Sequence, residues 1–127
     1  MSSGKSRKQI KLKRAYEPSE RRDGFRVLVD RLWPRGVRKE GASIDEHMKE
    51  VAPSAALRTW FGHDPAKWEE FRRRYGRELE GKPAPIAHLA AKAQRGNLTL
   101  VYAAKDSERN NAVVLRDYLL RLRKLRA

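Results

Sequence analysis

The chain contains no cysteine, which excludes disulfides, thiolate metal centres, iron–sulfur clusters and cysteine nucleophiles together. No apolar run approaches the ~20 residues of a membrane helix, so no membrane partner is expected. The opening, MSSGKSRKQIKLKR, is basic but lacks the apolar segment of a secretory signal, and a cytoplasmic protein is expected. Several standard machines are missing as well: there is no GxGxxG, no GxxxxGK(S/T), no HExxH and no GxSxG. No His/carboxylate spacing suits a metal, and no cofactor is expected. Acidic residues are scarce, 16 against 30 Lys plus Arg, which gives a net charge of +14. Yet 39% of the residues are hydrophobic, with three Trp, four Tyr and three Phe, too apolar for a wholly disordered basic chain. The length of 127 residues suits one domain.

The positive charge is concentrated at the ends. Residues 1–14 hold six basic residues and no acid, and residues 116–127 hold five against Asp117, so the ends supply ten of the fourteen charges. Residues 1–9 read as a basic flexible arm and residues 10–127 as a single domain. The tails are either solubilising or a footprint for nucleic acid, carried by Lys5, Arg7, Lys8, Arg121, Arg123 and Lys124.

Between the tails the pattern is α/β. Gln9–Tyr16 alternates as a short strand, and Phe25–Leu32 and Leu98–Ala104 read as buried strands. Glu17–Gly24 is a polar loop; its eight residues favour an antiparallel pair over a parallel crossover. Ile44–Val51 reads as a short helix capped by Ser43. Ser54 caps a second helix that ends at Gly62, and Asp64-Pro65 starts a third carrying Trp68, Phe71, Tyr75 and Leu79 on one face. Another helix runs from Pro85 to Gln94 and ends at Gly96 in a left-handed cap. A long C-terminal helix follows from about Ser107. The fold class is thus a small α/β domain with a short, mostly parallel sheet flanked by helices.

Open α/β sheets bind ligands beyond the carboxyl ends of their strands. If the two buried strands are parallel neighbours, Asp30, Arg31, Arg35, Lys105, Asp106 and Asn111 converge on one rim. Two Arg and one Lys beside a helix N-terminus suit a small anion, phosphate or nucleotide-like. Trp33 and Trp60 join Arg31, Arg35, Lys105 and Asn111 as ligand-binding candidates. His63, followed by Asp64, has the chemistry for acid–base work near neutrality, with Asp30 as a further proton-exchanging carboxylate. Each has an ordinary structural role as well. Asp106 or Ser107 would cap the last helix, Arg31 would pair with Asp30, and Asp64 would cap the helix after it. His47 and His88 lie within helical patterns. Binding and catalysis both remain open, as does the oligomeric state.

The runs DGFRVLVDRLWPRG, APSAALRTWFGHDPAKWEEF and LTLVYAAKDSERNNAVVL resemble the YeaO-like branch of a bacterial domain-of-unknown-function family, number 488. The likeness spans about Lys11 to Leu120 and implies a small α/β domain with no assigned activity. It matches Asp30, Arg31 and Trp33–Gly36 in the first run. In the others it matches Trp60–Asp64, then Lys105, Asp106 and Asn111. Two departures stand out: His47 takes a place where relatives of this branch often carry Trp, and Tyr102–Asp106 replaces a cysteine-containing segment of the broader family. Cysteine chemistry proposed for that wider family cannot apply to this chain.

Overall fold

The computed structural model describes residues 8–126; Lys5 and Arg7 of the expected arm lie outside the described residues. Four strands, β1 (Ile10–Arg14), β2 (Phe25–Leu28), β3 (Glu46–His47) and β4 (Leu98–Tyr102), form one sheet in the order β1-β4-β2-β3, with every pair parallel. Alternation along each strand sends Ile10, Val27, Leu98, Leu100 and Tyr102 into the hydrophobic core, and Lys11, Lys13, Arg26 and Thr99 to the opposite face. Helices α2 (Ala55–Phe61), α3 (Trp68–Glu80), α4 (Pro83–Arg95) and α5 (Asn111–Arg126) add buried residues such as Phe61, Phe71, Tyr75, Leu89 and Leu115 to that core.

The polar face is closed by the connection between β1 and β2. Within it the Asp23 carboxylate, fully buried, accepts from Lys13 Nζ at 3.1 Å, Arg26 Nη1 at 2.6 Å and the Glu20 N–H at 3.0 Å. Lys11 Nζ stands 3.5 Å from the same group. This connection corrects the antiparallel expectation: β1 and β2 do not pair, because β4 lies between them and is parallel to both. Ten residues separate the two strands. Extended, they reach roughly 33 Å, ample to run back along strands about half that length.

Three further expectations are corrected. Ile44–Val51 is not a helix: Glu46 and His47 pair with Val27 and Leu28, Met48 N–H bonds the Leu28 carbonyl, and a 3-10 turn follows at Lys49–Val51. A short helix, α1 (Lys39–Ala42), precedes it and ends at Ser43 with φ 53°, so Ser43 stops a helix instead of starting one. The open edge of β2 offers ladder bonds that local helix propensity cannot match. Gly96 is extended at φ 177° instead of left-handed. The C-terminal helix starts at Asn111, because Asp106 accepts from the N–H groups of Glu108 and Arg109 in a separate turn while Asn110 Oδ1 caps Val113 N–H.

Among the described residues no helix is long and apolar enough to cross a membrane.

Candidate functional site

β2 and β4 are parallel neighbours, and their exits meet as the strand-end reading requires. Val29 N–H bonds Val101 O at 3.0 Å, prolonging the ladder to Asp30. The Asp30 carboxylate accepts from Ala103 N–H at 2.9 Å and from Asn111 Nδ2 at 3.1 Å; the same amide also reaches Val29 O at 3.2 Å. Asp30 and Asn111 therefore lock the ends of β2 and β4 to the start of α5. Burial pushes the Asp30 carboxyl above its ordinary pKa, against the two hydrogen bonds and the positive fields of His47 and Arg58. Arg58, on α2, has a buried Nε with no hydrogen-bond partner among the described residues.

The loop after Asp30 crosses the rim. On one side His47 Nε2 donates to the Asp30 carbonyl at 2.8 Å, and its ring meets Trp33 edge-on with centroids 5.9 Å apart. On the other side Tyr16 Oη donates to Arg35 O at 2.9 Å. Between them, Trp33 Nε1 donates to Val37 O at 2.6 Å, and Gly36 at φ 80° makes the turn that brings Val37 round. Beside β3 this loop walls a cleft of about 420 Å³ that includes Arg31, Trp33, Lys39, His47 and Lys49. Its two carboxylates are engaged elsewhere: Asp45 accepts Arg26 N–H at 2.8 Å, and Glu46 accepts His88 Nε2 at 2.8 Å. Among the described residues Arg31, Arg35, Lys39, Lys49 and Lys105 form no ion pair, and the expected Arg31–Asp30 pair is absent.

The remaining sequence candidates sit apart from this lock. Trp60 lies at the seam of α2 and α3, its ring 5.1 Å from Lys67 Nζ and 4.3 Å from the Arg74 guanidinium. His63, exposed at φ 57°, meets the Phe61 ring at 6.0 Å, and no side-chain hydrogen bond joins it to Asp30 or Asp64 among the described residues. Asp64 Oδ1 accepts Ala66 N–H at 3.0 Å, its capping role. Lys105 is exposed on the loop after β4. Of the basic-tail residues, Lys8 accepts at its carbonyl from Arg123 Nη1 at 2.9 Å, Arg121 lies 5.8 Å over the Tyr118 ring, and Lys124 is exposed.

Sequence reasoning missed His47, Lys39, Lys49 and Arg58. The first three depend on β3, which the helical pattern concealed. Arg58 carried no local signal, since only tertiary contact brings it near Asp30.

A family model described as "Inactive DUF488-N3 subclade" matches residues 9–126. The chain is 44% identical over 110 residues to "Uncharacterized protein YeaO" of Escherichia coli, covering 87% of this chain and 96% of that one. Uncharacterized proteins of Mycobacterium tuberculosis and Mycobacterium bovis are each 40% identical over 111 residues, covering 87% of this chain and 93% of theirs. No solved structure matches the chain.

Proposed function

Since the chain belongs to the inactive N3 subclade of the DUF488 family, we propose that its strand-end cleft binds a small phosphoryl-bearing anion without turning it over. One observation carries this reading: in the cleft both carboxylates already have partners, whereas Arg31 and Lys49 form no side-chain hydrogen bond or ion pair among the described residues, and Lys39 has only the Trp33 ring beneath it. Charged donors left unpaired beside an open cleft suit an oxyanion, and each charge-assisted hydrogen bond gained is worth roughly 1.5–3 kcal/mol. Arg35 and Lys105 add positive field around the rim. Asp30 and Asn111 form the frame that holds the loop in place.

Binding is favoured over catalysis because both expected carboxylates are otherwise engaged and exposed His63 is hydrogen-bonded to neither of them among the described residues. Asp30 holds two donors and Asp64 caps a turn. The word "inactive" in the family description agrees with that. The test is calorimetric titration with inorganic phosphate. Wild type should bind, and an Arg31→Ala/Lys49→Ala variant should bind at least about tenfold more weakly with an unchanged melting temperature. Equal affinity in the two proteins would remove the cleft from consideration. Hydrolysis of a phosphate monoester by wild type, lost in His63→Ala, would replace binding with catalysis.

A second reading, contact with nucleic acid, is favoured by the Arg123–Lys8 bond. It brings Lys8 beside Arg123 on α5, so basic residues far apart in sequence are neighbours.

A further inference from the structure

The same cleft has an apolar wall. Leu32, Trp33 and Ile44 line it, and Leu32 is 70% exposed. Trp33 differs from the other two tryptophans. All three are half-buried, but Trp60 and Trp68 pack against the hydrophobic core and Trp33 is not part of that packing. Its orientation is nevertheless set, by the indole N–H bonded to Val37 O and the T-shaped contact with the His47 ring. The ammonium of Lys39, an exposed residue, lies 5.7 Å over its face, so a charged group stands over that face. A large aromatic oriented by these contacts outside the core, with Arg31 and Lys49 in the same cleft, offers a π-face and charge at once. Bases stack on such faces whatever their sequence, and guanidinium and ammonium groups hold phosphate.

We infer that the ligand of this site is a mononucleotide, its base against Trp33 and Leu32 and its phosphoryl group at Arg31 and Lys49. The inference rests on the anion reading and adds the base. The cleft, about 420 Å³, lies in the range of small-molecule sites, roughly 300–1,000 Å³, and suits a single nucleotide.

The experiment compares inorganic phosphate, ribose 5-phosphate, AMP and a tri-adenylate on wild type, Trp33→Phe and Trp33→Leu. In wild type AMP should bind at least about tenfold more tightly than ribose 5-phosphate. Trp33→Phe should keep that gap, and Trp33→Leu should abolish it while leaving ribose 5-phosphate affinity in place. Equal affinity of wild type for AMP and ribose 5-phosphate would overturn the base site and leave the anion reading standing. No binding of any of the three small anions would overturn both. A tri-adenylate bound far more tightly than AMP would replace the mononucleotide with a single strand. Should Trp33→Leu fail to fold, the indole N–H resonance of Trp33 in wild type decides, assigned by its loss in Trp33→Phe. AMP should shift it and ribose 5-phosphate should not; identical responses would overturn the inference.

Discussion

Asp23 and Asp30 are both carboxylates at turning points of the chain, and their surroundings drive them in opposite directions. Burial alone would raise Asp23, but the Glu20 N–H, the Lys13 and Arg26 side chains and the Lys13 charge together hold it at about 2, below its ordinary 3.8. The folded state thus binds this proton less readily than the unfolded chain. Its stabilising effect is complete above 3.8 and fades as pH falls towards about 2. Asp30 has the reverse sign: its raised pKa means that stability is lost as pH rises through the folded value. Urea denaturation of wild type and Asp23→Asn across the acid range should show curves that converge as pH falls, because the wild-type advantage disappears there. Parallel curves would refute this account. At neutral pH, Asp23→Ala should destabilise by about 3–5 kcal/mol, since it strands the buried Arg26 guanidinium. Gly24 beside it was legible as the end of a polar loop, but not its full constraint. At φ 68° any Cβ there would overlap the Asn97 carbonyl.

At the scale of elements, the helix signals were largely local and largely correct. Ser54 Oγ accepts Leu57 N–H at 3.2 Å, and Asp64 and Gly62 take their capping positions, the latter at φ 53°. Tertiary structure added a second duty that no capping rule foresees. Ser54 also donates from its N–H and hydroxyl to Glu78, at 2.8 and 2.6 Å, joining the start of α2 to α3. α3 itself carries Gly76 in its interior, with nothing within 4 Å of where a Cβ would stand. Gly76→Ala should therefore stabilise the protein by roughly 0.5–1 kcal/mol through helix propensity, seen as a higher urea midpoint. A lower midpoint would mean that an unseen contact needs the glycine. β3 was illegible for a physical reason: two residues hold it in the sheet, too few to impose a period, and the edge of β2 supplies its bonds.

For the molecule as a whole, a net charge of +14 opposes compaction and attracts polyanions. The contact of Arg123 with Lys8 joins residues 115 positions apart, which sets two basic side chains from opposite ends of the sequence next to each other. If that surface meets nucleic acid, oligonucleotide affinity should fall with salt at a log–log slope of about −0.9 per phosphate neutralised on duplex. An Arg121→Gln/Lys124→Gln variant should lose one to two phosphate contacts, flattening the slope by about 1–2, with Arg123 left to hold Lys8. A slope near zero in wild type would reduce the tails to solubility. Because the strand-end cleft is a separate cluster, its phosphate affinity should be unaffected by these substitutions.

Sequence alone determined what is encoded within a few residues: the α/β class, the helix start at Ser54, the turn capped by Asp64 that leads into α3, the buried strand at Leu98, and the absence of thiol chemistry. It also pointed to the rim where Asp30 and Asn111 meet. Their hydrogen bond spans 81 positions and depends on β4 lying beside β2. Only the tertiary structure placed β4 between β1 and β2, turned Glu46 and His47 into an edge strand, and enclosed Asp23 among three cations. These outcomes depend on which distant segments satisfy one another's hydrogen bonds and bury one another's apolar faces. No local window contains that competition, because it is settled by the free energy of the whole chain.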